Sequence, residues 1–268
     1  MTRKTAESLH IIVTGATEGI GREIALQLAR QGAVLTLAAR NEERLRVIVK
    51  ECKQLGADAE GVVTDVANQS QCNSLIETAV AQNGRIDGLI NNAGITMWTE
   101  FEQLKSLDVL EQVMRVNYLG AAYLTHAALP HLRESRGRLV VISSLAGLTG
   151  VPTRSGYAAS KHAVNGFFDS LRIELIGSGV SVTIVAPDFV RSKIHERALT
   201  ADGSELGTSP LANRKIMTAE ECALQSIDAM LKRQRLRVMT PRGTVVRFLR
   251  ILVPGFVDKL AHKAIYGK

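Results

Sequence analysis

The sequence is poor in cysteine, and this scarcity excludes several classes of protein. Its three cysteines, Cys52, Cys72 and Cys222, lie far apart and form no pair with the spacing of a zinc or redox motif. No two histidines have the spacing of metal ligands either, so we predict that the chain holds no metal ion. Unpaired thiols are typical of a reducing compartment, and the expected location is the cytoplasm.

Long apolar runs and a secretory leader are also missing. The first ten residues are polar and contain no apolar stretch of the kind found in signal peptides. The most apolar segment near the carboxyl end is interrupted by Arg250, Pro254 and Gly255, so it is too short to span a bilayer. We therefore expect no secretory signal and no transmembrane helix.

Aromatic residues make up only 4% of the chain, which limits how its positive charge can be interpreted. The formal net charge is +7, but residues 232–268 carry ten Lys and Arg against one acid, Asp258, and the rest of the chain is close to neutral. A nucleic-acid-binding protein combines such charge with a recognition motif or a row of aromatic side chains, and neither is present. The basicity belongs to the tail, and we predict no nucleic-acid partner.

What the chain does contain is a regular alternation of strand-like and helix-like segments. Such alternation predicts an α/β fold, a single Rossmann-type doubly wound parallel sheet with helices on both faces. The predicted strands are 9–13, 33–38, 61–64, 86–90, 139–142, 180–185 and an edge strand at 237–240. The predicted helices are a segment ending at residue 29, then 41–55, 69–82, 107–132, 157–176 and 218–231. With no repeat and no linker, residues 1–240 are expected to form one domain.

A glycine-containing turn follows the first predicted strand. Gly15, Gly19 and Gly21 lie between that strand and a helix, in the spacing G-x-x-x-G-x-G. Glycines allow the backbone to turn sharply and to approach a pyrophosphate, whose charge is stabilised by the helix N-terminus. The context indicates a dinucleotide site, with an ordinary strand-to-helix turn as the alternative.

The end of the second strand indicates which dinucleotide binds. An acidic side chain at this point would accept a hydrogen bond from the ribose 2′-hydroxyl of NAD. Residues 33–39 contain no acid, and Arg40 follows them, which suits the 2′-phosphate of NADP. Glu18, inside the glycine turn, is a counter-argument because its charge can repel that phosphate. The prediction is NADP(H).

The segment from residue 138 to 166 carries an acid/base pattern. Ser144 follows a buried strand, and Tyr157 and Lys161 lie four residues apart, so on a helix they share one face. A positive charge beside a phenol stabilises the phenolate and lowers the pKa of the tyrosine. The trio is typical of a site that moves a proton to or from an oxygen while a hydroxyl holds it. A solvent-exposed helical pair is the alternative.

Taken in order, these motifs resemble the short-chain dehydrogenase/reductase superfamily. The resemblance rests on TGATEGIG at residues 14–21, Asp65, NNAG at 91–94, Asn117, Ser144, Tyr157 and Lys161. It covers nearly the whole chain. Within the superfamily, the chain is similar to the branch around dehydrogenase/reductase member 7B and, more distantly, to hydroxysteroid dehydrogenases.

The resemblance implies a role for each matched residue. The implied catalytic residues are Asn117, Ser144, Tyr157 and Lys161, with Ser144 and Tyr157 also binding the substrate oxygen. The implied cofactor-binding residues are Gly15, Thr17, Glu18, Gly19, Ile20, Arg40, Asp65, Val66, Asn92, Ala93, Gly94, Tyr157, Lys161, Pro187, Val190 and Ser192. In the implied mechanism Tyr157 is the acid/base, Lys161 lowers its pKa, and Asn117 distorts its helix and holds a water.

The chain departs from the family pattern after the sixth strand, and two further segments are expected to shape the pocket. Asp188 replaces a glycine and puts a charge at the pocket edge, whereas Ser192 can take over the hydrogen bond of the family's threonine. Residues 188–217 are expected to form a substrate lid. Met97 and Trp98 are interpreted as pocket wall or as surface packing.

Residues 241–268 form a basic amphipathic extension. Val245, Phe248 and Leu252 lie on one helical face, with Arg247 and Arg250 on another. Three interpretations stay open: peripheral contact with a membrane, a cover over the substrate pocket, and a contact with another subunit. A lipophilic substrate is consistent with all three.

The sequence thus predicts an NADP(H)-dependent oxidoreductase that interconverts a carbonyl and an alcohol on a bulky apolar substrate. A 3-oxoacyl-thioester reductase is the first alternative, and an acidic pocket rim would count against it because its carrier-bound substrates are anionic. A non-catalytic NADP-sensing scaffold is the second, and it predicts a damaged catalytic set. The resemblance implies a homodimer or homotetramer that pairs through the helices containing Asn117 and Tyr157.

Overall fold

The computed structural model describes residues 5–211 and 216–267, and its centre is a parallel sheet of seven strands. The strand order is β3-β2-β1-β4-β5-β6-β7, so the direction of winding reverses between β1 and β4. The strands are β1 His10–Thr14, β2 Val34–Ala39, β3 Ala59–Val63, β4 Gly88–Asn91, β5 Arg138–Ile142, β6 Ser181–Ala186 and β7 Leu236–Val238.

Helices cover both faces of this sheet. They are α1 Gly19–Ala29, α2 Glu42–Gln54, α3 Gln69–Asn83, α4 Asp108–Met114, α5 Gly120–Ser135, α6 Ser155–Glu174, α7 Ala219–Leu231, α8 Pro241–Leu252 and α9 Pro254–Tyr266. Buried side chains of α1, α2 and α7 form the core on one face, and those of α3, α5 and α6 form it on the other. The predicted doubly wound α/β fold is therefore confirmed.

The interiors of the central strands are mostly apolar because neither face of the sheet meets water there. In β1, Ile11 and Val13 pack on one face of the sheet and Ile12 packs on the other, as alternating side chains require. In most elements the predicted and observed ends differ by one or two residues. The start of α6 at Ser155 is one such case, and it places Tyr157 in the first turn of the helix.

The predicted helix at 107–132 is interrupted. A π-helical turn at Arg115–Leu119 separates α4 from α5. Within it, the side-chain amide of Asn117 donates to the Ile95 carbonyl at 3.0 Å, and its oxygen accepts from the Ile95 N–H at 2.9 Å. Turns of this kind inside helices frequently occur at functional sites. Helical periodicity does not reveal the turn, because the apolar positions on either side keep their spacing.

The turn between β1 and α1 is closely packed. Gly15 and Gly19 have φ of +63° and +53°, a left-handed conformation that favours glycine. Gly21 is required for another reason, since a Cβ there would lie 2.2 Å from the Gly15 carbonyl oxygen and 2.4 Å from the Asn92 amide nitrogen. The start of α1 is thus pressed against the turn and against the end of β4.

The C-terminal extension forms α8 and α9, which pack back onto the domain. Arg242 pairs with Asp188 at 3.4 Å, the Tyr266 hydroxyl donates to Glu100 at 2.7 Å, and Val257 is buried. Large apolar side chains of both helices remain exposed at Val245, Phe248, Ile251, Leu252, Phe256 and Leu260. Across residues 5–211 and 216–267, every helix is too short or too polar to cross a bilayer.

We predict that Gly21→Ala destabilises the protein by about 2 kcal/mol or more, because the new methyl group overpacks against backbone that cannot move away cheaply. In a domain of this size such a loss lowers the melting temperature by roughly 4–8 °C. Thermal unfolding followed by circular dichroism measures the effect.

Gly166→Ala is the matched control. Gly166 also lies in a helix, but a Cβ there would meet nothing within 4 Å. Replacing it should stabilise α6 by about 0.5–1 kcal/mol through helix propensity alone. Equal melting temperatures for the two variants would show that the close packing at Gly21 is unimportant.

Candidate active site

A cavity of about 1080 Å³ opens at the carboxyl ends of the strands. In open α/β sheets this edge binds ligands, at the point where the winding reverses. The cavity runs from Arg40 at the end of β2, past Tyr157, to α9 in the tail. It is a single continuous space, large enough for a dinucleotide together with a second molecule.

Three of the four predicted catalytic residues meet at the middle of the cavity. Ser144, Tyr157 and Lys161 all line it, and a hydrogen bond links the Ser144 and Tyr157 hydroxyls. The Lys161 ammonium donates to the Ile142 carbonyl at 2.8 Å and lies 5.7 Å from the centre of the Tyr157 ring. The neighbouring Ser143 is not equivalent, because its buried hydroxyl donates to another side chain, that of Asn165.

The balance of charge around Tyr157 differs from the sequence prediction. Burial raises the pKa of Tyr157, and the hydrogen bond with Ser144 and the positive charge of Arg154 act in the opposite direction. Lys161, which we expected to lower this pKa, is not among its causes. Burial also lowers the pKa of Lys161, to about 8, so most of its ammonium remains charged at neutral pH. The phenol is therefore protonated and ready to donate.

Asn117 lies behind the cavity wall. Its side-chain amide donates to Ser160 at 2.9 Å as well as to Ile95. A Cβ on Gly94 would lie 3.1 Å from the Asn117 side-chain oxygen and 3.7 Å from the Lys161 ammonium. The predicted distortion of the helix is present as the π-helical turn. The side chains of Asn117 and Lys161 both lie close to Gly94.

All predicted cofactor-binding residues line the cavity. Asn92 holds the floor in place, because its side-chain amide donates to the carbonyls of Thr14 at 2.9 Å and Gly15 at 3.2 Å. The Thr14 hydroxyl accepts in turn from the N–H groups of Asn92 and Ala93 at 3.0 and 3.1 Å. Thr14 was not among the predicted residues, although its position directly before the glycine turn is a usable signal.

The residues at this end fit a dinucleotide. A Cβ on Gly15 would lie 3.0 Å from the Ala93 Cα, and one on Gly19 would lie 3.1 Å from the Ser192 Cβ. The bare backbone therefore leaves the space that a pyrophosphate needs, next to the N-terminus of α1. Arg40 supplies a positive charge at the far end. Among residues 5–211 and 216–267, no cluster of His, Cys, Asp and Glu side chains is suited to a metal ion.

Glu18 is neutralised by two arginines. Its carboxylate pairs with Arg44 on α2 and with Arg197 at 2.8 Å, in the predicted lid segment. Both arginines line the cavity. The predicted repulsion between Glu18 and a phosphate is thereby weakened. Arg44 and Arg197 were missed by sequence reasoning, because their approach to Glu18 depends on the tertiary fold.

Arg154 is the most conspicuous residue that the sequence analysis missed. It is only 4% exposed and lies three residues before Tyr157 at the start of α6. Its guanidinium stacks over Trp98 at 4.2 Å and Phe189 at 5.3 Å from the ring centres, and it donates to His195 at 3.3 Å. Its position in the sequence, three residues before Tyr157 and shortly before the predicted helix, is a signal that could have indicated a charge close to the Tyr157 hydroxyl.

The predicted lid segment is held against the loop after β4. The backbone N–H of Trp98 donates to the Leu199 carbonyl, and the backbone N–H of Leu199 donates to the Thr96 carbonyl, both at 2.9 Å. Met97 is fully buried. Met97 and Trp98 therefore do not line the cavity directly and are not free surface. They pack behind Arg154 and the predicted lid segment, which do line the cavity.

Helix α9 forms the apolar wall at the open end of the cavity. Its apolar lining residues are Val257, Leu260, Ala261, Ala264 and Ile265, and Lys263 of the same helix also lines the cavity. Of the three interpretations of the tail, a cover over the pocket matches this arrangement. Asp188 lies on the opposite rim, and its pairing with Arg242 of α8 neutralises the charge that replaces the family's glycine.

Comparisons with known proteins agree with this geometry. The family model described as short chain dehydrogenase matches residues 9–202. The 11-beta-hydroxysteroid dehydrogenase-like 4A of Arabidopsis thaliana is 37% identical over 226 residues, covering 83% of this chain and 73% of that protein. The Dictyostelium discoideum dehydrogenase/reductase SDR family protein 7-like is 33% identical over 259 residues, covering 94% and 80%.

Two solved structures have a similar fold. A short chain dehydrogenase/reductase from Burkholderia phymatum, in complex with NAD, has a TM-score of 0.83 and 25% identity and covers 94% of this chain and 96% of its own. The alcohol dehydrogenase of Thermococcus sibiricus, complexed with 5-hydroxy-NADP, has a TM-score of 0.74 and 25% identity, with coverage of 87% and 95%.

The match to the family model covers more than half of the residues, and relatives above 30% identity span most of the chain. The sheet order and the meeting of Ser144, Tyr157 and Lys161 in one cavity agree with both. The chain thus belongs to the short-chain dehydrogenase family of oxidoreductases.

Proposed function

We propose that the protein is an NADP(H)-dependent oxidoreductase that interconverts a carbonyl and an alcohol on a largely apolar substrate. The observation that carries this proposal is that the Ser144 and Tyr157 hydroxyls lie in the same cavity as the dinucleotide cradle at Gly15 and Gly19. A substrate oxygen held by the two hydroxyls would be within reach of a nicotinamide bound in the same cavity.

Each of the three residues has one task in the mechanism. The bound nicotinamide supplies a hydride to the carbonyl carbon, or takes one from the alcohol. Tyr157 gives its phenolic proton to the carbonyl oxygen as negative charge develops there, and Ser144 donates a hydrogen bond to the same oxygen. Lys161 supports both through its buried positive charge and binds the nicotinamide ribose. In the reverse direction, tyrosinate takes the proton of the alcohol.

The state of Tyr157 favours reduction. Burial raises its pKa, so the phenol keeps its proton at neutral pH and acts as a general acid. Oxidation of an alcohol needs tyrosinate instead, which becomes more populated as the pH rises. The protonated phenol is the form that reduction of a carbonyl requires, which agrees with the use of NADPH.

The preference for NADP(H) rests on Arg40 and on the neutralisation of Glu18. Arg40 ends β2 where NAD enzymes of this fold carry an acid. Glu18 is the acid nearest to the predicted phosphate position, and Arg44 and Arg197 neutralise it. A 2′-phosphate would meet a net positive surface there. The Thermococcus sibiricus structure with 5-hydroxy-NADP supports this assignment, whereas the Burkholderia phymatum protein binds NAD.

The substrate class is inferred from the cavity wall. Helix α9 contributes aliphatic side chains, which favour a hydrocarbon body over a polar one. The similarity to 11-beta-hydroxysteroid dehydrogenase-like proteins supports a bulky lipid-like substrate. We infer that residues 188–217, of which 212–215 lie outside the described part of the chain, serve as the lid. Glu18 pairs with this segment at Arg197, and Arg242 pairs with it at Asp188.

A 3-oxoacyl-thioester reductase is the second candidate, and the charge of the rim is the observation that favours it. An acidic rim would repel anionic carriers, but the charged residues there are mostly basic. They are Lys193, Arg197, Arg242 and Lys263 against Asp188 and Glu205. A non-catalytic sensor is less well supported, because the catalytic set is intact.

The cellular setting of the proposal is that of a cytoplasmic homodimer or homotetramer. We infer that two subunits pair through α5, which directly follows the turn containing Asn117, and through α6, which contains Tyr157. The exposed apolar side chains of α8 and α9, such as Phe248 and Phe256, are the surface for any contact with a membrane or another subunit.

We predict that Tyr157→Phe lowers kcat for NADPH-dependent reduction about 10²–10⁴-fold, because the general acid is lost. The affinity for NADPH should change little. NADPH oxidation at 340 nm, measured with a steroid ketone, a retinal, a long-chain aldehyde and an acetoacetyl thioester, tests both points and separates the two candidate functions.

Tyr123→Phe is the control for this substitution, since Tyr123 lies on α5 away from the cavity. It should retain the activity of the unmodified protein. If Tyr157→Phe is as active as Tyr123→Phe, the proposed chemistry is wrong.

We also predict that Arg40→Ala raises KM for NADPH about 10–100-fold while leaving KM for NADH nearly unchanged. A charge-assisted hydrogen bond is worth roughly 1.5–3 kcal/mol, which corresponds to this range. Arg46→Ala is the matched control, because Arg46 lies on the exposed face of α2, paired with Glu42. An equal rise in KM for both cofactors would contradict the role assigned to Arg40.

A further inference from the structure

Arg154 is a buried cation without a carboxylate partner in the described part of the chain. It is 4% exposed, and every ion pair found in residues 5–211 and 216–267 involves other residues. The rings of Trp98 and Phe189 stack on its guanidinium and compensate for part of the lost hydration. A buried charge is costly unless it is paired, so the site is incomplete as it stands.

His195 does not supply the missing negative charge. Burial and the charge of Arg154 together lower its pKa to about 4, although a hydrogen bond with the Val190 backbone raises it, so the ring is neutral at pH 7. Its Nδ1 accepts from the Arg154 guanidinium at 3.3 Å. The neutral imidazole orients the arginine and leaves its charge intact.

Most of the donors of Arg154 are unused. A guanidinium has five N–H groups, and the contact with His195 uses one of them. The Nε atom is buried without a hydrogen-bond partner among the described residues. Burial lowers the pKa of Arg154 to about 10, so the group stays protonated at neutral pH. The free donors and the full charge therefore require an acceptor from outside the chain.

The position of Arg154 shows where that acceptor lies. Arg154 is the residue directly before α6, three positions before Tyr157, and its positive charge is close enough to lower the pKa of Tyr157. Both side chains line the cavity. The nearby acid of the wall, Asp188, is already paired with Arg242 at 3.4 Å. A group bound at Arg154 would belong to the molecule whose oxygen meets Tyr157.

We propose that Arg154 binds a carboxylate carried by the substrate, which is therefore an apolar oxo acid or hydroxy acid. A planar guanidinium matches the two oxygens of a carboxylate, and a single buried cation balances one negative charge better than the two of a phosphate. This inference rests on the proposed function and narrows its substrate class. The aliphatic wall of α9 would hold the hydrocarbon chain.

The first test measures binding without turnover. Trp98 is the single tryptophan of the chain and stacks on Arg154, so its fluorescence reports on the guanidinium. Protein loaded with NADP⁺ is titrated with octanoate and with octanamide, its neutral match, at constant ionic strength. We expect a saturable fluorescence change with octanoate, at a Kd at least about tenfold lower than that of octanamide.

Substitutions show whether Arg154 is responsible. In Arg154→Met the preference for octanoate should disappear, and in Arg154→Lys, which keeps the charge without the planar fork, it should be partly retained. Lys193→Met, which removes another positive charge that lines the cavity, should keep the full preference. Retained NADP⁺ binding shows that each variant is folded. Equal affinity for octanoate and octanamide in the unmodified protein would overturn the proposal.

The second test uses the reaction. Oxooctanoic acids with the ketone at C3, C4 or C5 are compared with their methyl esters as substrates for NADPH oxidation. We expect at least one acid to be preferred over its ester by about tenfold or more in kcat/KM, mainly through KM. In Arg154→Met the ratio should approach one. An unchanged ratio accompanied by a shifted pH profile would mean that Arg154 acts on Tyr157 instead, and would overturn the proposal.

The two tests separate this inference from the proposed function. Octanoate binding that depends on Arg154, without hydride transfer to any ketone, would support the carboxylate site and contradict the proposed reaction. Reduction of neutral ketones and esters, without any preference for acids, would support the reaction and contradict the carboxylate site.

Discussion

The hydrogen bonds between the ends of β1 and β4 are the constraint on which the site depends. Asn92 donates to the carbonyls of Thr14 and Gly15, and the Thr14 hydroxyl accepts from the backbone that follows β4. The winding of the sheet reverses between β1 and β4, so the segments that follow these two strands run in opposite directions and leave a crevice between them. The absence of a side chain on Gly21 lets α1 approach closely enough to aim its N-terminus into that crevice. The dinucleotide cradle and the floor below the catalytic trio are thus one hydrogen-bonded unit.

Burial gives the three ionisable groups of α6 different properties, although they lie within two turns of one another. It keeps the Tyr157 phenol protonated, brings the pKa of Lys161 to about 8, and leaves Arg154 charged with a pKa of about 10. Lys161 finds an acceptor in the Ile142 carbonyl, and Tyr157 interacts with the Ser144 hydroxyl. Arg154 has only a neutral imidazole and two aromatic rings. The same low-polarity surroundings that suit proton transfer at Tyr157 therefore leave one cation that a ligand can complete.

Sequence reasoning identified the fold and the reacting groups because both depend on local pattern. Alternating apolar segments predicted the parallel sheet, and the glycine turn and the Tyr157–Lys161 spacing predicted residues that meet in the cavity. Helical periodicity did not show the π-helical turn at Arg115–Leu119, and only the family resemblance implied a distortion at Asn117, because the contacts of Asn117 with Ile95 join segments distant in sequence. The effect of Arg154 on the pKa of Tyr157 was not predicted either, because burial and the proximity of Arg154 are properties of the packed structure.

Ion pairs at the rim hold the segments around the cavity together, although most of the charged residues there are basic. Glu18 is held by Arg44 and Arg197, and Asp188 by Arg242, so two acids tie the glycine turn, the lid segment and the tail together. Each pair is partly exposed and contributes modestly to stability, but together they fix three segments that are distant in sequence. The tail thus contributes to the site in two ways. Helix α9 forms its apolar wall, and Arg242 neutralises the charge of Asp188 at the rim.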